Sequence, residues 1–147
     1  MQSIEGLIEK TQVPPIVKYA YPLVKEKEKD LEQLRPKVAE FLSRDFQTFA
    51  YVAFGSTAIP SMNHVKEIKK MIQENTHIGF VVSLIEHEQL QMFQDLRNAI
   101  AFSWVQQREL LQSGKISVYF AHGGFNSILD SMKVAIPQII TPVFPSD

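Results

Sequence analysis

The sequence predicts an α/β fold: a doubly wound parallel sheet with helices on both faces. Three observations carry this. Five short apolar runs rich in β-branched and aromatic residues recur between Thr48 and Phe144. They are nearly continuous in apolarity, as strands buried on both faces are. Helix-forming stretches separate them, and strand–helix alternation of this kind implies right-handed βαβ units.

Residues 1–24 contain VPPIVKYAYPL, where Pro14, Pro15 and Pro22 break a helix and mark an extended connector. KEKEKDLEQLRPKVAEFLSRD follows. Its charged start reads as a solvated turn or helix end, and Val38, Phe41 and Leu42 give a short apolar face. Residues 1–46 are thus expected to be a connector and short helix leading into a domain over residues 47–147. TFAYVAFGS, Thr48 to Ser56, is the first strand. After Gly55-Ser56 the period changes: Met62, Val65, Ile68 and Ile72 fall three or four apart, an amphipathic helix.

HIGFVVSL is the second strand, EHEQLQMFQDLRNA a weaker helix or loop, and IAFSWV the third strand. QRELLQSG reads as a short helix with Gly114 as its C-cap. ISVYFAH is the fourth strand, NSILDSMKVA a helix and PQIITPVF the fifth strand. No helix pattern follows to cover that last strand, and an open parallel sheet needs both faces covered. The expectation is a domain incomplete at its C-terminal end, a piece of a longer polypeptide. There is no internal repeat and no low-complexity tract.

The 147 residues suffice for one domain with a proper core. Fifteen basic against sixteen acidic residues leave a net charge of -1, so no electrostatic pull toward nucleic acid is visible. Lys66, Lys69 and Lys70 fit the solvated face of a helix. The absence of cysteine rules out disulfides, thiolate metal sites and a cysteine nucleophile. MQSIEGLIEK, with acidic Glu5 and no apolar block, is not a secretory signal. The longest apolar stretch, Ile78 to Ile85, is far too short to span a bilayer. A cytoplasmic location is expected, with any membrane association supplied by segments outside this chain.

Ligands of open α/β sheets sit beyond the carboxyl ends of the strands. Three such ends carry suggestive residues: Gly55-Ser56, Trp104 with Gln106-Gln107, and His122-Gly123-Gly124. In a parallel sheet all three open on one edge. At the last, the glycines permit a tight turn and a close backbone approach. Asn126 and Ser127 then lie in the first helical turn, where free N–H groups and the helix dipole favour an anion such as a nucleotide diphosphate. His122 adds a donor. The plainer alternative is that Asn126 or Ser127 merely caps the helix and His122 is a satisfied strand-end residue. On the local pattern the two readings are evenly balanced.

Trp104, the single tryptophan, could stack a nucleobase with Gln107 bonding a base edge or ribose; as an isolated residue it fits the core better. Ser56 could line a cleft or simply cap the following helix. The pattern matches neither G-x-G-x-x-G nor a P-loop. Glu86-His87-Glu88 lacks a second histidine at helical spacing and reads as a solvated loop. Ser127, His122 and Asp130 are too close in sequence for a hydrolase triad, and no G-x-S-x-G elbow is present.

FSWVQQRELLQSGKISVYFAHGGFNSILDSMKVAIPQIITPVFPSD strongly resembles the nucleotide-sugar signature of the UDP-glycosyltransferase family, whose fold is GT-B. That pattern runs W-x-P-Q, a Leu, a strand, H-G-G-x-N-S-x-x-E, a small-residue turn before Pro and a closing P-x-x-x-D-Q. YVAFGS resembles the strand and turn opening the family's C-terminal domain, and VPPIVKYAYPL the segment leading into it. The resemblance implies a Rossmann-like domain, the C-terminal half of a GT-B fold.

It also implies roles. Trp104 would stack on uracil and Gln107 would bond the nucleoside. His122, Asn126, Ser127 and the backbone at Gly124 would hold the diphosphate, with Ser56 lining the cleft nearby. Asp130 would take the ribose hydroxyls and Asp147 would touch the sugar. Three departures stand out. Gln106 replaces the usual proline, PVFPSD is one residue longer than the usual spacing, and Asp130 replaces a glutamate, setting its carboxylate about 1.5 Å further back.

The implied reaction is inverting transfer of a hexosyl group from a UDP-sugar to an acceptor hydroxyl, with no cofactor and no metal. The family's general base is a histidine of the N-terminal acceptor-binding domain, which this chain lacks. His64, His77 and His87 lie on the wrong elements to replace it. The chain alone is therefore expected to bind UDP or a UDP-sugar without turnover and to need that domain in cis or as a separate chain. The alternatives are a non-catalytic nucleotide-sugar-binding subunit and a degenerate remnant with a structural role.

Overall fold

The computed structural model describes residues 34–141 apart from Thr57. The proline-rich connector, PVFPSD and Asp147 lie outside the described residues. The chain forms α1 (Pro36–Leu42), β1 (Thr48–Ala53), α2 (Met62–Glu74), β2 (Ile78–Ser83) and α3 (His87–Gln91). It continues with β3 (Ala99–Phe102), α4 (Gln107–Gln112), β4 (Ile116–Ala121), α5 (Phe125–Lys133) and β5 (Gln138–Ile140).

The five strands form one parallel sheet in the order β3-β2-β1-β4-β5. The doubly wound α/β fold expected from the alternation is therefore the observed one. The chain winds outward from β1 to β3, then crosses back to lay β4 against the other side of β1. Tyr51 of β1 consequently sits in register with Val81 on one side and Tyr119 on the other. The order reverses between β1 and β4, and the crevice beyond such a reversal is where these sheets bind ligands.

β1 is buried on both faces because its residues alternate between two cores. Phe49, Tyr51 and Ala53 join Val38, Phe41 and Leu42 of α1 and Leu110 and Leu111 of α4. Ala50, Val52 and Phe54 join Val65, Ile68 and Ile72 of α2, with Phe80, Val82 and Phe93. The sheet is thus the middle of three layers. The short helix leading in, α1, packs onto the sheet, since its apolar face fills the first core.

α2 begins at Ser61, whose hydroxyl accepts from the His64 N–H at 3.3 Å. Its buried stripe is Val65, Ile68 and Ile72, while Met62 is 41% exposed and lies off it. Buried Asn98 ties α2 to β2. Its amide nitrogen donates to the carbonyls of Ile72 (2.9 Å), Asn75 (3.2 Å) and Ile78 (3.2 Å). At α4 the C-cap is Ser113, and Gly114 follows it with φ +73°, as a left-handed residue closing a helix does. No helix among the described residues is long and apolar enough to cross a membrane.

Candidate functional site

β1 and β4 both run out at the point where strand order reverses; His122 directly follows β4, and Gly55 lies two residues past the end of β1. Gly55 has φ +74° and Gly123 φ +89°, a left-handed backbone that glycine adopts freely. These two turns bring the ends of β1 and β4 together around one imidazole. A Cβ placed on Gly55 would lie 3.0 Å from His122 Cε1, and one on Gly124 2.6 Å from His122 Nε2. The glycines at 55 and 124 thus leave room for the His122 ring.

Gly124 is also the N-cap of α5, and no side chain caps that helix. The first bond of α5 runs from the Ile128 N–H to the Gly124 carbonyl at 3.0 Å. The N–H groups of Phe125, Asn126 and Ser127 precede it and have no partner within the helix. They carry the positive end of the helix dipole to the same sheet edge as His122. The Asn126 side chain is exposed there. Ser127 turns the other way: it is buried, its hydroxyl lies 3.1 Å from the Tyr119 hydroxyl, and its carbonyl accepts from Gln138 Nε2 at 2.6 Å. What Ser127 presents at the helix end is its backbone N–H.

The capping explanation therefore does not account for this segment. Neither Asn126 nor Ser127 caps α5, and His122 Nδ1 is buried without a hydrogen-bond partner. Nor does Ser56 cap α2, where Ser61 does that work; Ser56 is exposed beside Gly55.

A second group lies at the N-terminus of α4. Trp104 sits two residues past the end of β3, and its indole is 58% exposed rather than packed in the core. The Arg35 guanidinium lies 5.9 Å from the indole centroid and 5.4 Å from that of Phe102, so one face of Trp104 rests against a cation. Gln106 is the N-cap of α4 and Gln107 its first residue. Gln107 Nε2 donates to Asp130 Oδ2 at 3.0 Å, and Arg108 Nε donates to Asp130 Oδ1 at 3.2 Å. Gln107 Oε1 accepts from the Tyr119 hydroxyl at 2.8 Å. The fold has joined Gln107 and Asp130, which are 23 residues apart in sequence.

Burial holds the Tyr119 phenol above its usual pKa, with the Asp130 charge adding to the rise and the Ser127 hydrogen bond opposing it. Tyr51, stacked on Tyr119 with ring centroids 4.8 Å apart, is raised as well, chiefly by burial. Sequence reading missed Tyr119, Arg108 and Arg35. A tyrosine within an apolar strand carries a polar end that needs a partner when buried, and this was the available signal for Tyr119. Nothing local marks Arg35 or Arg108.

Two grooves, of about 450 and 470 Å³, lie away from the His122 turn. One runs between the C-terminal ends of α4 and α5, lined by Gly114, Ile116 and Lys133 among others. The other follows edge strand β3, lined by Arg35, His87 and Phe102 among others. Neither contains His122 or the α5 N-terminus, where the polar groups converge.

Comparison with known proteins supplies the context. A family model described as "UDP-glucoronosyl and UDP-glucosyl transferase" matches residues 47–147. The chain is 32% identical over 100 residues to anthocyanidin 3-O-glucosyltransferase 7 of Manihot esculenta, covering 65% of this chain and 34% of that protein. It is 28% identical over 134 residues to the putative UDP-glucuronosyltransferase ugt-50 of Caenorhabditis elegans, covering 86% of this chain and 25% of that protein. The chain thus spans between a quarter and about a third of the length of these relatives.

Among solved structures, a UDP-glucose: anthocyanidin 3-O-glucosyltransferase in complex with UDP superposes with a TM-score of 0.63 at 26% identity. That match covers 73% of this chain and 25% of the other. A UDP-glucosyltransferase from Polygonum tinctorium shares the fold at a TM-score of 0.64 and 19% identity, over 74% of this chain and 26% of its own. With the sheet order, the polar edge and the family match over its last hundred residues in agreement, the chain belongs to the UDP-glucuronosyl and UDP-glucosyl transferase family.

Proposed function

We propose that this chain supplies the donor-binding half of a UDP-sugar-dependent glycosyltransferase that moves a hexosyl group to an acceptor hydroxyl with inversion. The observation that carries the reading is the N-terminus of α5. It is free of any side-chain cap, is preceded by Gly123-Gly124, and adjoins a histidine whose Nδ1 is buried and unpaired. The diphosphate belongs at this end, held by the N–H groups of Phe125, Asn126 and Ser127, the Asn126 amide and His122. Ser56 lines the same crevice from β1. The exposed face of Trp104 takes the uracil, while Gln107 and Asp130 take the ribose hydroxyls. Asp147 completes the sugar end.

During inverting transfer the bond between the anomeric carbon and the diphosphate oxygen breaks, and negative charge gathers on the departing diphosphate. A preorganised helix end and the His122 donor stabilise that charge without reorganising, an effect worth several kcal/mol in enzymes that use it. This charge stabilisation asks for no metal. The acceptor and the base that removes its proton come from an N-terminal domain, in cis or as a separate chain. The isolated chain then binds donor without transferring sugar.

Titration with UDP, followed by Trp104 fluorescence and by calorimetry, tests the reading. Saturable binding with a change in indole emission is expected. No response at millimolar UDP, corresponding to binding weaker than about 4 kcal/mol, would refute it.

A further inference from the structure

We infer that Tyr119 is a positioning residue of the nucleoside site, setting the Gln107 amide and, through it, the Asp130 carboxylate. This rests on the reading of Gln107 and Asp130 as ribose ligands. The Tyr119 side chain is fully buried in the first core and stacked on Tyr51, so its hydroxyl has one place to be. That hydroxyl donates to Gln107 Oε1 at 2.8 Å. A phenol has a single proton, so in the 3.1 Å contact with Ser127 Oγ the serine is the donor. Burial keeps the phenol protonated well into the alkaline range and so keeps it a donor.

A glutamine amide can ordinarily be turned over at little cost, since its two ends have the same shape. Here it cannot. Turning it would aim Oε1 at the Asp130 carboxylate, which only accepts and now takes a proton from Nε2 at 3.0 Å, and would exchange the Tyr119 contact at 2.8 Å for one in which the phenol must accept. The carboxylate therefore fixes which end of Gln107 it meets, and the buried phenol holds the opposite end of the amide in place. The phenol also links the first residue of α4 to the third of α5, the elements bearing the nucleoside and diphosphate halves of the site.

Tyr119→Phe keeps the ring, its stack on Tyr51 and its packing, and removes only this clamp. The discriminating readout is the ratio of the dissociation constants for 2′-deoxy-UDP and UDP, measured by calorimetry on the full chain. The unsubstituted chain is expected to prefer UDP about tenfold, the worth of one net hydrogen bond. In Tyr119→Phe the affinity for UDP falls about tenfold, that for 2′-deoxy-UDP changes little, and the ratio approaches one. Gln107→Ala produces the same narrowing, and the double variant shows no further loss, as two residues acting through one contact should.

An unchanged ratio in Tyr119→Phe, additive losses, or an equal fall for both ligands overturns the inference. So does an unsubstituted chain that binds UDP without preferring it, which leaves the diphosphate reading intact. A chain that binds no UDP fails at the earlier step and takes this inference with it. Should Tyr119→Phe not fold, the side-chain amide of Gln107 in the unsubstituted chain decides by nuclear magnetic resonance. Slow proton exchange supports the clamp, and exchange as fast as for exposed glutamines overturns it.

Discussion

Gly124→Ala isolates the contribution of His122 with a single methyl group. The backbone at Gly124, φ -60° and ψ 137°, suits alanine as well as glycine, so no backbone strain confuses the result. The new Cβ would stand 2.6 Å from His122 Nε2 and 2.8 Å from Cε1. An ordinary contact begins near 3.4 Å, so Nε2 must retreat by 3.4 − 2.6 = 0.8 Å. The ring occupies the space left free at Gly55 and Gly124 alike, so a methyl group at Gly124 has to displace it from its present position. A hydrogen bond to a charged diphosphate oxygen is worth about 1.5–3 kcal/mol, and losing it weakens UDP binding roughly tenfold to a hundredfold.

Alanine is a poorer N-cap than glycine, which removes about 1 kcal/mol from stability and lowers Tm by roughly 4 °C. Uridine separates the two effects, because it has no diphosphate for His122 to bind. Calorimetry should show Gly124→Ala losing affinity for UDP while binding uridine as before. Adding Gly124→Ala to His122→Ala should change UDP affinity little. UDP binding as tight as in the unsubstituted chain, or a parallel loss for uridine, would refute the reasoning.

Two further outcomes concern stability. Tyr51 and Tyr119 have pKa values raised by burial, from a reference of 10.0. Their neutral forms thus favour the folded state, fully below about pH 10, and this contribution is lost as pH rises toward the folded-state values. Their phenolate absorbance at high pH should appear together with loss of far-ultraviolet circular dichroism. Titration at the ordinary value with the dichroism intact would contradict their burial. Asn98→Ala should lower unfolding stability in urea by about 1–3 kcal/mol, because the carbonyls of Ile72, Asn75 and Ile78 lose their shared donor. UDP affinity should not move, since Asn98 lies at the opposite end of the sheet; a matching loss of binding would count against that separation.

Much of this protein is legible in its sequence. Strand and helix periods are local properties, and a short apolar run such as TFAYVA, rich in β-branched and aromatic residues and closed by a Gly-Ser turn, reads as a strand covered on both sides. Element order, the parallel sheet and the strand ends bearing polar residues all follow from that. The extent of β3 did not, since IAFSWV continues the apolar run past Phe102, where pairing with β2 stops. Met62 was placed on the buried stripe of α2 by spacing alone, and the first turn of the helix leaves it outside.

By itself the sequence determined the fold class and a glycine turn feeding a helix at a strand end, because both depend on neighbours along the chain. Only the tertiary structure decided that β4 lies against β1, which sets the Gly55 turn beside His122. It alone freed the α5 N-terminus of a side-chain cap, turned the Ser127 hydroxyl inward and left Trp104 exposed. It also joined Gln107, Asp130 and Tyr119 into one network. The physical reason is that hydrogen-bond partners and burial are set by residues brought together across the fold, and no local period records who they will be.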